Sequence, residues 1–441
     1  MLYRKDAVSM AVAGLLATCG FAMADTQVKT SSLSLDPSVV HADVDAAPST
    51  LLMTGLDKIG AAKPLTNLGI NVYGWVEAGY NVNLRQQQGN TPIRPGPFTQ
   101  EVGNHAAFNQ VTLRVQRLVD SKKWDVGGMV EVLFGTDANY IRSNGIEYQT
   151  PGDNPGEVPQ FEIPQAYVDV NVPVGNGLKV RVGKFVTLLG TETIDPRGNA
   201  FYSHSYLFSL IPFTQTGVMG FYQLNDQWSL AGGMTRGWDQ ATEDDNSSLD
   251  VLGQVGYKLN QQVQLYLNYS IGPQNVGDSG HYRTTINPIA IWQVTDKLKL
   301  NAEGLYTYDG GYNGSGTGAT HAYGDTYGVA LYGSYVINDY VTANARAEWA
   351  HGYISEFNGV SGSSYSGSLS SYFGSTVPTI NVIELTLGAT IKPMPKDPIL
   401  QNLMIRPEVR YDASEDHVYP VGSGAVYKDQ FSAGVDVIFT F

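Results

Sequence analysis

Apolar and polar positions alternate over the last twelve residues of the chain. The apolar positions carry Phe431, Ala433, Val435, Val437, Phe439 and Phe441. The positions between them are polar or small, with Ile438 as the exception. Because successive side chains of a β-strand point to opposite faces, this segment predicts a strand with one apolar and one polar face. The pattern fits a soluble sheet with one wet face, and it also fits a membrane strand between lipid and a water-filled lumen.

The same alternation recurs along most of the chain. Within 341–349, apolar residues alternate with Thr342, Asn344, Arg346 and Glu348. A slip of one residue would turn Arg346 towards lipid at a cost of about 2–4 kcal/mol near the midplane, so the register is strongly specified. To within two strands, sixteen such segments occur, an even number as in closed bacterial barrels. The predicted spans are 69–84, 108–119, 124–134, 162–172, 178–187, 213–224, 228–238, 249–259, 263–272, 282–294, 298–308, 325–337, 340–350, 379–392, 403–412 and 429–441.

The connections between these segments alternate between short and long. The short ones are 120–123, 173–177, 225–227, 260–262, 295–297, 338–339 and 393–402, and the long ones are 85–107, 135–161, 188–212, 239–248, 273–281, 309–324, 351–378 and 413–428. Outer-membrane barrels have short periplasmic turns and long external loops, whereas a sandwich or propeller has no reason to place every long loop at one end. The predicted fold is therefore all-β, a transmembrane antiparallel β-barrel with both termini on the periplasmic side.

Aromatic residues lie near the ends of the predicted strands. They are Trp124, Trp228, Trp292 and Tyr340 beside short connections, and Phe134, Trp238, Tyr308, Trp349 and Tyr411 beside long ones. Such belts mark the two membrane interfaces, although aromatic residues also favour strands in general. Pro288 and Pro407 fall inside predicted strands, so we expect a bulge or a shifted boundary at each. Arg117 has lipid-side parity, but it lies close enough to the turn at Asp120 to reach the headgroups.

The first 24 residues have the features of a secretory signal peptide. Arg4 and Lys5 precede an apolar run from Ala7 to Phe21, and a small-x-small cleavage site ends at Ala24. We therefore predict that 1–24 is a cleaved signal peptide. An uncleaved anchor is one alternative, and a lipoprotein acylated at Cys19 is another.

Residues 25–68 are predicted to form a periplasmic linker that contains a short helix. The first part, 25–48, is rich in Ser, Thr, Asp and Ala and has no periodicity. Within 49–61, Leu52, Leu56 and Ile59 fall on one helical face. This helix is expected to plug the lumen, to dock on the barrel rim, or to remain unstructured, and the barrel itself is expected over 69–441.

Composition narrows the class of protein further. Removal of Arg4, Lys5 and Asp6 with the signal leaves 25 basic and 40 acidic residues, a net charge of −15, which argues against nucleic-acid binding. Cys19 is the only cysteine, so the mature chain has no disulfide. No later apolar run reaches the length of a membrane-spanning helix. The 49 glycines, 27 tyrosines and 15% charged residues suit a barrel whose two faces average out in hydropathy.

Several short motifs between Ile70 and Gly272 carry a resemblance to a known family. They are Tyr73-Gly74-Trp75-Val76-Glu77, Phe134-Gly135-Thr136-Asp137, Pro164-Gln165-Ala166-Tyr167-Val168, Val182-Gly183-Lys184-Phe185, Gly190-Thr191-Glu192, Asn199-Ala200-Phe201-Tyr202-Ser203 and Pro212-Phe213-Thr214-Gln215-Thr216-Gly217. As a set they resemble the putative β-barrel porin type 2 (OmpL-like) family, over about half of the chain. The resemblance implies an outer-membrane channel of Gram-negative bacteria and supplies no substrate. In sixteen-stranded porins it further implies that the loop after the fifth strand folds inward.

Loop 188–212, called the lumen loop below, is too apolar for an external loop. Leu207, Phe208, Leu210 and Ile211 would lie uncovered in water. We expect this loop to fold inward and narrow the lumen; the alternative is an external loop packed on a neighbour or in a trimer interface. The expected constriction charges are Glu192, Asp195 and Arg197 on the loop and Arg114, Lys179 and Arg181 on the opposing wall.

Other inward positions are expected to line the lumen. They are Glu77, Trp75, Tyr167, Asp169, Arg346, Glu348, Arg406, Glu408 and Arg410. Facing acids and bases would create a transverse field, and the acidic excess predicts a mild cation preference. Each pair is equally well explained as a cross-strand salt bridge. Tyr73, Trp75, Tyr167 and Tyr266 form a possible stacking track for sugars, or else ordinary wall packing.

The sequence favours a channel over an enzyme. The seven histidines share no motif, and His204 between two serines is the only local set that suggests catalysis. We expect no catalytic residue, no cofactor and no metal. The predicted function is an outer-membrane porin for passive diffusion of small hydrophilic solutes and ions. The alternatives are a substrate-specific channel, for example for sugars, and a scaffold or adhesion barrel with a closed lumen that displays loop 351–378.

The expected partners follow from an outer-membrane location. They are outer-membrane lipids and lipopolysaccharide, small hydrophilic solutes, and a second and third copy of the chain in a homotrimer. We also expect the barrel assembly machinery to recognise the last strand, with Phe439 and Phe441 as its assembly signal.

Overall fold

The protein folds into a closed antiparallel barrel of sixteen strands, as predicted. The structure, a computed structural model, describes residues 50–84, 106–146, 161–310, 324–353, 379–420 and 426–441. The barrel strands are β1 Ile70–Asn83, β2 Ala106–Arg117, β3 Asp125–Phe134, β4 Phe161–Val172, β5 Leu178–Val186, β6 Thr214–Gln223, β7 Trp228–Trp238, β8 Asp250–Lys258, β9 Val263–Pro273, β10 Tyr282–Gln293, β11 Leu298–Asp309, β12 Gly324–Asn338, β13 Val341–Tyr353, β14 Thr379–Ile391, β15 Leu403–Ser414 and β18 Asp429–Thr440. The last long loop adds a two-stranded sheet, β16 Tyr419–Pro420 and β17 Val426–Tyr427.

The barrel closes where its first and last strands pair. Val76 of β1 lies opposite Phe439 of β18. At the end of this seam, Gly74 N donates to the Phe441 carbonyl oxygen at 3.0 Å and Phe441 N donates to the Gly74 carbonyl oxygen at 2.8 Å. Residues 70–73 of β1 run past this point and pair with β2. The start of β1 therefore extends beyond the last strand.

The two faces of the wall separate apolar from charged side chains. On β12 and β13, Val329, Leu331 and Trp349 point outward and are exposed, whereas Arg346 and Glu348 point inward and are buried. Exposed aromatic residues stand near both ends of the strands, at Trp124, Trp228, Trp292 and Tyr340 and at Phe134, Tyr308, Trp349 and Tyr411. This distribution is that of a wall between lipid and a polar lumen.

The expectation of a bulge or shifted boundary at the two strand prolines was wrong. Pro288 lies opposite Leu267 in an unbroken register with β9. On its other side the register with β11 is the same before and after the proline, and only the local pairs are missing. Asn287 Nδ2 donates to the Gly304 carbonyl oxygen at 2.8 Å, which replaces the donor that proline lacks. Pro407 likewise keeps its register, opposite Val435.

Two short helices precede the barrel. Helix α1 spans Leu51–Lys58, inside the predicted 49–61, and Thr50 caps it by accepting from Met53 N at 3.1 Å. Helix α2, Ala62–Asn67, was not predicted. Within the described residues, no helix is both long and apolar enough to cross a membrane. The predicted signal peptide and 25–49 lie outside those residues, as does most of loop 351–378.

Candidate pore constriction

The lumen loop folds into the barrel, as its apolar content predicted. It contains a short 3-10 turn, Pro196–Gly198, and a single-turn helix, α3 Tyr206–Ser209. Leu207 and Ile211 pack with wall residues such as Met219 and Leu305 in one apolar cluster. The loop side chains of this cluster are Leu188, Leu189, Ile194, Tyr206, Leu207, Phe208, Leu210 and Ile211, each at most 7% exposed. Burial of these groups holds the loop in the lumen.

The loop crosses the lumen from one wall to the opposite one. After β5, Gly190 N donates to Asn287 Oδ1 on β10 at 2.8 Å. Four residues later, the Ile194 carbonyl oxygen accepts from Gln110 Nε2 on β2 at 2.8 Å. Strands β2 and β10 are eight positions apart in the ring of sixteen, which is half of its circumference. The loop therefore spans the lumen instead of lying along one side of it.

Glutamates of the wall accept hydrogen bonds from the loop backbone. Glu348 on β13 accepts from Tyr206 N and Leu207 N, both at 2.7 Å. Glu408 on β15 accepts from Tyr202 N at 2.9 Å and from Ser203 N at 3.2 Å. Glu303 on β11 accepts from Thr191 N at 2.9 Å. These five bonds reach backbone N–H groups, so they hold the path of the loop backbone in addition to the packing of its apolar side chains.

Arginines of the wall bind the loop carbonyl groups. Arg406 Nη1 donates to the carbonyl oxygens of Pro196 at 2.8 Å and Asn199 at 2.7 Å. Arg346 Nη1 donates to the Ser203 carbonyl oxygen at 2.8 Å. Arg410 Nη1 donates to the His204 carbonyl oxygen at 2.5 Å. The same arginines pair with wall carboxylates: Arg346 with Glu384, Arg410 with Asp412, and Arg406 with Asp436 and Glu77.

Glu192 of the loop lies in contact with two basic groups. Its Oε1 is 2.6 Å from Arg346 Nη1, and its Oε2 is 2.8 Å from His204 Nδ1. Burial alone would raise the pKa of Glu192, but Arg346 and His204 lower it to about 2. Burial lowers the pKa of His204, against the attraction of Glu192, and its ring stacks on Phe208 at 4.2 Å.

Asp195 of the loop forms a second charge cluster. Its Oδ2 lies 2.6 Å from Arg197 Nη2 and 3.1 Å from Arg114 Nη1 on β2. Burial would raise the pKa of Asp195, but the two arginines lower it to about 2. The guanidinium groups of Arg197 and Arg114 lie 4.1 and 4.7 Å from the centre of the Trp75 ring. Loop acids and wall bases thus touch, and the transverse field expected across open water is not formed by these pairs.

Two predicted constriction bases contact the wall instead of the loop. Arg181 Nε lies 2.8 Å from Asp169 Oδ1, and its guanidinium lies 3.6 Å from the centre of the Tyr167 ring. Lys179 Nζ lies 5.0 Å from the centre of the Phe221 ring. These groups form a basic and aromatic strip along β4, β5 and β6.

The expected aromatic track has little open ring surface. The side chains of Tyr73, Trp75, Tyr167 and Tyr266 are all buried. Arginine lies over the rings of Trp75 and Tyr167, and the hydroxyl of Tyr73 donates to Gln116 Oε1 at 3.0 Å. Ordinary packing in the barrel wall, the alternative given above, describes these four residues better than sugar stacking.

Tyr202 of the lumen loop makes contacts with the wall that the sequence did not reveal. Its hydroxyl donates to Asn109 Oδ1 at 3.2 Å, and its ring lies over Gly79 so closely that a Cβ there would come within 2.4 Å of it. The sequence pattern of a strand shows which way Gly79 and Asn109 point, but the loop residue that meets them comes from far along the chain.

The proposed assembly signal residues, Phe439 and Phe441, lie at the barrel seam with ring centres 6.5 Å apart.

Comparisons with known proteins agree with this architecture. A family model described as Putative beta-barrel porin-2, OmpL-like, matches residues 69–441. The outer membrane channel DcaP of Acinetobacter baumannii has 15% identity and a TM-score of 0.50, over 84% of this chain and 97% of that chain. Salmonella typhi OmpF, in complex with daunomycin, has 11% identity and a TM-score of 0.52, over 85% of this chain and 99% of that chain. At these identities the likeness shows the barrel fold alone, and no curated protein sequence matches the chain.

Proposed function

We propose that this chain, which belongs to the beta-barrel porin-2, OmpL-like family over residues 69–441, forms a passive diffusion channel for small hydrophilic solutes and ions. The observation that carries the proposal is the lumen loop. It crosses from β10 to β2 and occupies the space through which a solute would pass. Its position makes the lumen loop the element that sets the size limit.

The pattern of charges supports weak ion selectivity. Glu192 and Asp195 are in direct contact with arginines, so they contribute little net field to a passing ion. Lys179 and Lys299 remain half-buried on the inward face near the periplasmic end. These two lysines favour anions, whereas the acidic excess of the whole chain, with 41 acidic and 27 basic residues, favours cations. We expect a small preference for cations.

A substrate-specific channel is the second candidate. The observation that favours it is the dense packing of the lumen loop, whose apolar side chains are buried against several strands. A wide, unselective pore would not need this density. The covered rings of Trp75 and Tyr167 argue against sugars, while the ammonium group of Lys179, which lies over the Phe221 ring, suits small anionic solutes.

Single-channel recording in a planar bilayer under a salt gradient tests the proposal. Steady conductance steps with a reversal potential biased slightly towards cations are the expected result. Steps that fall when one small solute is added would favour the substrate-specific channel. A correctly folded barrel that gives no steps would contradict the proposal and favour the closed scaffold.

We also expect a homotrimer in the outer membrane, together with recognition of the last strand by the barrel assembly machinery. The exposed outward apolar face supports insertion in lipid and leaves a wide surface for contact between copies. Mass measurement of the protein extracted in mild detergent tests the trimer. A single copy per particle at all concentrations would contradict it.

A further inference from the structure

The helical hairpin formed by α1 and α2 begins beside the start of β1. Residues 70–73 of β1 pair with β2, whereas contact between β1 and the last strand starts at Gly74. Thr50 Oγ1 donates to the Val72 carbonyl oxygen at 2.9 Å, on the part of β1 that β18 leaves uncovered. The buried side chain of Met53 follows in the first turn of α1. The hairpin thus extends the seam at the periplasmic end.

The other end of the hairpin is held on the lipid side of the wall. Arg117 has the same parity on β2 as Leu113 and Val115, which are exposed on the outward face. Its Nε donates to the Leu68 carbonyl oxygen at 2.8 Å, and its Nη2 lies 2.9 Å from Asp125 Oδ1. Because Arg117 points away from the lumen, the end of α2 lies outside the pore.

Large apolar side chains of the hairpin are exposed beside the lipid-facing wall. Ile59 is 77% exposed and Leu68 is 60% exposed. Trp124, in the adjacent β2–β3 turn, is 68% exposed and belongs to the aromatic belt. The hairpin therefore exposes apolar side chains near the end of the wall where Arg117 binds Leu68 and where Trp124 belongs to the aromatic belt.

The same arc of the rim is basic, although the chain is acidic. The hairpin and the flanking β2–β3 and β14–β15 turns carry six exposed lysines and three aspartates: Lys58, Lys63, Lys122, Lys123, Lys392 and Lys396 against Asp57, Asp120 and Asp397. The chain as a whole has 41 acidic and 27 basic residues. Lysines beside exposed apolar groups are typical of segments that lie on an anionic lipid surface.

We propose that the helical hairpin lies in the headgroup layer of the periplasmic leaflet. Ile59 and Leu68 enter the boundary with the acyl chains, and the lysines of the rim bind anionic phospholipid headgroups. The hairpin anchors the barrel seam to the membrane and leaves the lumen free. This inference is independent of the solute that the channel carries.

Depth-dependent fluorescence quenching tests the inference. The protein is expressed with its predicted signal peptide, purified from outer membranes in its mature form, which has no native cysteine, and placed in vesicles of phosphatidylethanolamine and phosphatidylglycerol. One cysteine, Ile59→Cys or Thr54→Cys, carries an environment-sensitive probe. Thr54 is exposed and lies on the face of α1 opposite Leu52 and Leu56, so it is the matched control. A nitroxide at headgroup depth should quench the probe at position 59 several-fold more than the probe at position 54.

Other outcomes would overturn the inference. Equal, weak quenching at both positions would place the hairpin in water. Quenching at position 59 that requires a high protein-to-lipid ratio would make a second copy of the chain the partner. An increase in conductance after deletion of 50–68 would make the hairpin a plug.

A double variant, Lys58→Glu with Lys63→Glu, tests the role of the lysines. A several-fold loss of quenching, seen only when the vesicles contain phosphatidylglycerol, would support headgroup binding by the lysines.

Discussion

The barrel wall and the lumen loop are held by different kinds of hydrogen bond. Wall strands pair backbone to backbone over long stretches, as between β13 and β14 from Val341 to Tyr353. The loop backbone instead bonds to side chains that project from the wall, above all Glu348 and Glu408. Stability of the wall is therefore spread over many equivalent bonds, whereas the position of the loop depends on a few residues.

Removal of the loop tip is expected to have the largest effect. Deletion of 195–206 takes away the part that meets β2, β13 and β15, so the conductance should rise several-fold while the barrel still folds. A second variant replaces 195–206 by a Gly/Ser linker of equal length. It should give an intermediate, noisy conductance, because the lumen is filled but the anchors are lost. Unchanged conductance in both variants would separate the loop from permeation.

Loss of the wall anchors should have the next largest effect. Glu348→Ala with Glu408→Ala leaves four loop N–H groups without their acceptors. Each costs about 1–3 kcal/mol if it stays buried, so the loop should leave its site for part of the time and the current noise should rise. Asp169→Ala is the control, since Asp169 is an inward carboxylate that binds Arg181 of the wall. Equal noise in the control would contradict the role of the anchors.

Two glycine-to-alanine substitutions in the wall test the contact between the wall and the lumen loop by adding a single methyl group. In Gly79→Ala the new Cβ would meet the Tyr202 ring at 2.4 Å, whereas Gly232 has no atom within 4 Å of its Cβ position. Overpacking of this kind costs about 1–3 kcal/mol, so Gly79→Ala should raise the conductance noise and lower the stability of the loop. Gly232→Ala should match the wild type. The same recordings and thermal unfolding measure both, and identical behaviour would argue against the Tyr202 contact.

Acidification should loosen the loop in two stages, with the smallest effect of the series. The pKa of His204 in place is below its usual 6.5, so a released loop binds a proton more readily and attachment weakens as the pH falls below 6.5. The pKa of Glu192 in place is about 2 against a usual 4.5, so its contribution is complete above 4.5 and is lost as the pH falls towards 2. Opening events in bilayer recordings should increase in both ranges. His204→Asn should remove the first stage, and its persistence there would contradict the assignment.

The wall was predictable because its pattern repeats. Alternation predicted the strands to within a few residues, and the even number of strands predicted a closed barrel. The predicted bulge at Pro288 was wrong because the side chain of the neighbouring Asn287 donates to the Gly304 carbonyl oxygen in place of the missing proline N–H. A rule that considers one residue at a time does not anticipate such a replacement. Helix α2 was missed because six residues with a central proline carry almost no periodic signal.

The site was predictable only in part. The apolar side chains of the lumen loop indicated its inward fold, since they had to be covered. Period-two parity placed Glu348 and Arg406 inside the barrel, but it could not show that they bind the loop backbone. Those contacts join residues more than 140 positions apart, such as Glu348 and Leu207. Period-two parity predicts whether a wall side chain points inward, whereas its contact partner depends on the path of the whole lumen loop.

Amide hydrogen exchange of the folded full chain tests the central claim most directly. If wall side chains hold the loop across the lumen, the amides of 202–207 should exchange as slowly as those of β13. Glu348→Ala should then accelerate exchange at Tyr206 and Leu207 while the strand amides keep their protection. Rapid exchange of 202–207 in the wild type, as in a free external loop, would contradict the account.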